Sequence, residues 1–226
     1  MVTPMRYGQF CGLARAMELV GEPWAMLVVR DLLLGPKSVD QLHRTLPRVP
    51  AETLSARLRE LATGGVVRPA RGLAGEDTAG EVYELTEYGK ELDEIVVRFG
   101  LWGARSLGEP AEGDTFSLDI AILSLYTMFR QEAAHWLRVT YEIHFGATVV
   151  HAIVDDGELT VAEGPCPDAD LVIEALGNIK PMYAGEITAE EALASGLVRV
   201  RGDSALLARF TELFVIPTAP VVPHTV

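Results

Sequence analysis

The stretch PAETLSARLRELATGGVVR, Pro50 to Arg68, decides how the N-terminal half is read. Leu54, Leu58 and Leu61 recur at helical spacing, and Gly64-Gly65 supplies a stop. At about 100° per residue the three leucines define a core face, with Glu52, Ala56 and Arg59 roughly opposite and Ser55 and Glu60 flanking. Arg57 falls only about 60° from the core centre, which suits a structural ion pair. Charge makes this helix unusual. The chain of 226 residues has a formal net charge of −13, yet four of its 19 basic residues, Arg57, Arg59, Arg68 and Arg71, stand in or just after the helix.

The acidity lies elsewhere. Residues 1–108 hold 13 basic and 14 acidic side chains, a net of −1, whereas residues 109–226 hold 6 and 18, a net of −12. From Arg30 to Arg71 the balance is 8 basic to 4 acidic. Two domains with different electrostatic tasks are implied. The Gly-, Pro- and acid-rich segment 109–117 reads as the linker between a domain at 1–108 and one at 118–214, with a Pro-rich tail at 215–226. Apolar content of 49% indicates a folded chain. The apolar runs are too short to span a bilayer, no secretory signal is visible, and Cys11 and Cys166 are the only cysteines. A cytoplasmic protein without membrane or disulfide framework is expected.

Outward from the opening stretch the N-terminal elements fall into order. Helices are predicted at Cys11–Val20, at Trp24–Leu34, which is almost wholly apolar, and at Val39–Thr45, capped by Ser38. After the fourth helix come strands VVRPAR and EVYEL around a Gly-rich loop, then a long helix from Glu87 to about Leu107 capped by Thr86. This order is that of a winged helix-turn-helix, in which the second helix of the turn enters the DNA major groove and the hairpin meets phosphates. The outward residues Ser55 and Arg59 and the turn residues Ser38, Gln41 and Arg44 are the DNA candidates, with Glu52 and Ala56 on the same face. Arg68 and Arg71, at the start of the wing, suit phosphates. Leu92, Ile95, Val96, Phe99 and Trp102 form an apolar stripe on the long helix that suits a dimer interface in preference to packing on the second domain.

The segments AMELVGEPWAMLVVRDLLLGPKSVDQL, LSARLRELATGGVV and YELTEYG, with the Cys before the first helix, resemble the HxlR-type transcriptional regulators, relatives of the MarR group, over about residues 8–105. The resemblance implies a homodimer, expected to be a repressor, that binds an inverted repeat in double-stranded operator DNA, with its first and last helices forming the dimer interface. It thereby implies that the first helix, with Leu13 and Met17, joins the apolar stripe of the long helix. Family members commonly carry a basic or amide residue where this chain has Glu52 and Ala56, and a basic or Pro-rich wing where it has Glu76 and Asp77. Glu52 would either accept from a cytosine amino group or repel phosphate. Two readings of Cys11 stand: a thiol sensor, as the resemblance implies, or a small hydrophobe in the dimer interface.

The C-terminal half starts with a helix in which Ile122, Leu125, Phe129 and Ala133 share a face, followed by alternating strands with a turn at Asp155-Asp156-Gly157. ADLVIEAL and LVRVRGD are further strands, NIKPMYAG and TAEEALASG short helices, and SALLARFTELF a closing helix capped by Asp203 or Ser204. This order, with the ADLVI and SGLVRVRGD runs, resembles the sterol carrier protein fold. The resemblance implies a five-stranded α/β sandwich with a cavity for a small apolar or acyl-chain ligand, walled by Met128, Phe129, Phe145, Met182, Tyr183, Phe210 and Phe214. An α+β chain results: a winged helix-turn-helix followed by a sterol carrier protein-like domain. The alternative function is a lipid carrier whose winged helix serves only dimerisation. His144 and Glu142 alternate onto one strand face, but no third metal ligand, nucleophile motif or phosphate loop accompanies them. No enzyme, metal or cofactor is expected.

Overall fold

Packing groups the chain into two compact units, Met1–Val96 and Val97–Val226. The computed structural model describes residues 6–70 and 81–218. Arg71, the wing-tip residues Glu76 and Asp77, and the end of the Pro-rich tail lie outside the described residues.

In the N-terminal unit α1 (Gly12–Val20) and α2 (Ala25–Leu33) come first. Val28, Val29 and Leu32 make α2 the central buried helix. It also carries a fully buried acid: Asp31 accepts from Arg30 Nε at 2.8 Å and from the Thr45 hydroxyl at 2.5 Å. That second bond ties α2 to α3 (Val39–Thr45), which follows the two-residue strand β1 (Lys37–Ser38). The start of α3 is a capping box, with the Ser38 hydroxyl accepting from the Gln41 N–H and the Gln41 side chain accepting from the Ser38 N–H. α4 (Ala51–Thr63) buries Leu54, Leu58 and Leu61 as its period requires. Gly65, at φ +74°, turns the chain so that the Val66 N–H returns to the Leu61 carbonyl at 2.9 Å. Strands β2 (Val67–Pro69) and β3 (Val82–Leu85) then complete an antiparallel sheet of order β1-β3-β2.

One long helix was expected after Thr86; the chain forms two, α5 (Glu87–Lys90) and α6 (Asp93–Ala104). Thr86 caps α5 by accepting from the Gly89 N–H, and its hydroxyl donates to the Gly65 carbonyl at 2.6 Å. Gly89 presses on the Val66 carbonyl so closely that a Cβ there would collide with it. The first turn is thereby pinned to the start of β2. A tight turn, with the Leu92 N–H bonded to the Gly89 carbonyl at 3.1 Å, re-aims the chain and brings Leu92 and Val96 onto the N-terminal core.

In the C-terminal unit α7 (Leu118–Met128) is capped by Ser117, whose hydroxyl accepts from the Ile120 N–H. The helix ends before the expected Phe129 and Ala133. Phe129 is extended and bridged to Phe214, and the Arg130 N–H bonds to the Leu213 carbonyl, so the backbone pairs with the chain's end instead of continuing the helix. Ala133 sits in a 3₁₀ turn. Strands β4 (Arg138–Phe145), β5 (Thr148–Asp155), β6 (Glu158–Glu163) and β7 (Leu171–Ala175) follow, then α8 (Lys180–Tyr183), α9 (Ala189–Ala194), β8 (Val198–Gly202) and α10 (Ala205–Leu213). The five strands form one sheet of order β6-β5-β4-β7-β8, with only β4 and β7 parallel among the described pairings. Asp156 and Gly157, both at positive φ, make the two-residue β5–β6 turn. Asp203, not Ser204, caps α10 by accepting from the Ala205 N–H. Alternation on β4 sends Tyr141 and Ile143 into the core and Glu142 and His144 to the other face.

Candidate nucleic-acid interface

The outward face of α4 is where the sequence candidates converge. Glu52 and Arg59 are exposed, Ser55 and Ala56 are half-buried. Glu52, Ser55 and Arg59 line one shallow depression together with Ala51. Neither the Glu52 nor the Arg59 side chain makes a hydrogen bond or ion pair among the described residues, although the Arg59 carbonyl accepts from the Thr63 hydroxyl at 2.8 Å. Arg57 stands in contrast. Its side chain is 11% exposed and pairs with Glu60 at 2.5 Å and Glu22 at 3.5 Å, the structural role its angular position predicts.

Other candidates are already engaged. Ser38 is buried and Gln41 is its capping-box partner, so both polar groups serve the start of α3 rather than an open surface. Arg44, in the last turn of α3, is exposed. Arg68 faces Glu84 across the β2–β3 ladder and bonds to it at 2.8 Å, leaving a side chain that is 59% exposed.

At the base of the wing the sequence signals missed Tyr83 and Glu81. The Tyr83 hydroxyl donates to Glu81 at 2.8 Å. Burial, then the Glu81 bond and charge, push the phenol up to about 12, and the Arg59 charge opposes them. The buried Asp31–Thr45 tie was missed as well, although an acid inside an otherwise apolar helix was its signal.

Of the apolar dimer candidates, Leu13 and Met17 are exposed on α1. On α6, Ile95, Phe99 and Trp102 are exposed, the last two stacked at 5.8 Å with nearly parallel rings. Leu92 and Val96 are half-buried and packed on the N-terminal core. Cys11 is an exposed free thiol at the start of α1, beside Arg15 in a concave surface that Arg6 and Phe10 also line.

In the C-terminal unit five of the expected cavity residues, Met128, Met182, Tyr183, Phe210 and Phe214, belong to the core. Their rings meet one another, Phe210 with Phe214 at 4.7 Å and with Tyr183 at 5.7 Å. Phe129 and Phe145 are half-buried, the first against Phe214 and the second against Phe116 at 5.0 Å. The Tyr183 hydroxyl is buried and has no hydrogen-bond partner among the described residues, and burial raises its pKa. Glu142 is buried, with Oε1 at 2.6 Å from His144 Nε2 and Oε2 accepting from the Cys166 N–H at 2.7 Å. Burial pushes its carboxyl up, but the His144 and Cys166 bonds outweigh it and the pKa is lowered. Among the described residues no group of three His, Cys, Asp or Glu side chains is placed to hold a metal ion. No helix among them is long and apolar enough to cross a membrane.

Comparison with known proteins bears on the N-terminal unit. The HxlR-like helix-turn-helix family matches residues 19–110. The chain is 32% identical over 102 residues to YtcD of Bacillus subtilis strain 168, an uncharacterized HTH-type transcriptional regulator, a match covering 45% of this chain and 79% of the relative. A second such regulator, from Mycobacterium bovis, is 38% identical over 106 residues, covering 47% of this chain and 65% of its own length. Among solved structures, that of the ytcD regulator shares 29% identity with a TM-score of 0.37, covering 42% of this chain and 94% of the other. With its depression on α4, its capped α3 and its β1-β3-β2 sheet inside the matched segment, the chain belongs to the HxlR-like helix-turn-helix family.

Proposed function

We propose that the chain acts as a homodimeric repressor that binds an inverted repeat in double-stranded operator DNA. The observation that carries this reading is the outward face of α4, where the side chains of Glu52 and Arg59 are left without hydrogen bond or ion pair among the described residues while that of Arg57 is paired. A recognition helix presents unpaired groups to base edges, with the exposed Arg44 beside it and Arg68, which is bonded to Glu84 but largely exposed, able to meet phosphates through its free guanidinium nitrogens. Leu13 and Met17 on α1 and Ile95, Phe99 and Trp102 on α6 are the exposed apolar groups a dimer would cover. In that dimer Cys11 lies at the edge of the α1 contribution, where oxidation would disturb association.

The C-terminal unit, sterol carrier protein-like in this reading, takes a small apolar ligand that binds DNA-competent and incompetent dimers with different affinity. The orphaned Tyr183 hydroxyl among aromatic rings supports it. The same hydroxyl, with the acidic Glu52, favours the second reading, an apolar-ligand carrier whose winged helix only dimerises.

Fluorescence anisotropy on labelled duplex from upstream of the chain's own gene, across a salt series, separates the two. Saturable binding that weakens linearly on a log–log salt plot is expected, with sedimentation at twice the monomer mass. Absence of saturable binding at low salt would overturn the repressor, and a monomeric sedimentation value would overturn the dimer.

A further inference from the structure

The depression on α4 combines groups of opposite charge, Glu52 and Arg59, seven residues apart on one helix face with Ser55 between them. An exposed carboxylate on a DNA-facing surface is repelled by the phosphates, and a hydrogen-bond donor on a base edge offsets that cost most directly. In the major groove the donors are the cytosine N4 and adenine N6 amino groups. The adenine group stands between two acceptors, its own N7 and the O4 of thymine. The cytosine group has an acceptor on one side only, the O6 of guanine, and a C–H on the other. A carboxylate is therefore better matched to cytosine.

Resting on the reading of α4 as the recognition helix, we propose that Glu52 is a specificity-determining residue that selects a cytosine in each operator half-site. Glu52 sits in the first turn of α4, the part of a recognition helix that reaches base edges. Its carboxylate accepts from cytosine N4, while Arg59, two turns further along and lining the same depression, supplies the positive charge that holds the helix against the duplex. The same carboxylate lowers affinity for duplexes that place no amino group there, so selectivity comes from repulsion as well as attraction. A merely structural acid in the first turn would act on the helix dipole and change stability without changing base preference.

The test is selection from a randomised duplex library by the full chain, compared with Glu52→Gln and Glu52→Ala, each checked for an unchanged melting temperature. The native chain is expected to select a cytosine in each half-site, with replacement by another base weakening binding roughly 5- to 100-fold. Glu52→Gln should shift that position toward adenine, which a carboxamide contacts at N6 and N7, and Glu52→Ala should flatten it. If the variants select the same bases as the native chain, Glu52 is not the reader. If the native chain retains no duplex at low salt, the recognition-helix reading itself falls and takes this assignment with it.

Discussion

The outward face of α4 in the N-terminal unit and the polar groups around Glu142 in the C-terminal unit behave in opposite ways. In the N-terminal unit α4 pairs Arg57 internally and turns Glu52 and Arg59 outward without partners among the described residues. In the C-terminal unit the corresponding groups engage one another: Glu142 with His144 and the Cys166 N–H, Glu174 with Arg199, and Arg209 with the Ala133 carbonyl. An unpaired charge on a surface costs little in water but is available to a polyanion, whereas a buried one must be satisfied at home. The difference is what the proposed recognition of a polyanion by α4 rests on, while the second unit has a packed aromatic core in which the Tyr183 hydroxyl is left without a partner among the described residues.

The comparison can be broken first in the cores. Phe210 is fully buried between Tyr141, Tyr183 and Phe214. Phe210→Ala should cost about 3–5 kcal/mol in urea unfolding, the range for a large ring removed from a packed interior. A cost near zero would mean the aromatic cluster is loose enough to collapse. Next is Asp31→Ala, which strips Arg30 and the Thr45 hydroxyl of their shared acceptor and should cost about 2–3 kcal/mol. Because the Asp31–Thr45 bond joins α2 to α3, the variant should also exchange amide protons faster in α3. Arg57→Ala should be milder, on the order of 1 kcal/mol, since its ion pairs lie near the surface. A thermal melt of that variant unchanged from the native one would remove the distinction drawn between Arg57 and Arg59.

The smallest effect concerns pH. The pKa of Glu142 is lowered in the folded chain, so the unfolded chain takes up its proton first on acidification. Glu142 therefore contributes stability that is fully present above the ordinary carboxylate range, near 4.5, and is lost as pH falls through its depressed value. Glu142→Gln should flatten the acid limb of stability measured from pH 6 to pH 3. Parallel acid limbs for the native chain and the variant would show that the His144 and Cys166 bonds do not hold the carboxylate.

Much of this was legible in the sequence where local chemistry decides. The Ser38 cap, the glycine stop after α4, the leucine face of α4, the inward Arg57 and the Asp156-Gly157 turn all follow from a few neighbouring residues. What was not legible depends on distant partners. The break between α5 and α6 comes from Gly89 meeting Val66, and the early end of α7 from pairing with the chain's end at Leu213 and Phe214. A two-residue strand such as β1 has no pattern to read. The candidate sites suffered from ambiguity of another kind. Ser and Gln serve caps and DNA equally well, and Ser38 and Gln41 form a cap here. Aromatic residues that wall a cavity and those that fill a core have the same spacing, and five of the seven named belong to the core.

The most direct measurement compares the native chain, Arg57→Ala and Arg59→Ala on one labelled duplex at fixed low salt, with melting temperatures taken in parallel. The expected result is that Arg59→Ala loses affinity at least fivefold with its melting temperature unchanged, while Arg57→Ala melts earlier and, below its transition, binds as the native chain does. Native affinity in Arg59→Ala would contradict the assignment of the outward face of α4 to DNA.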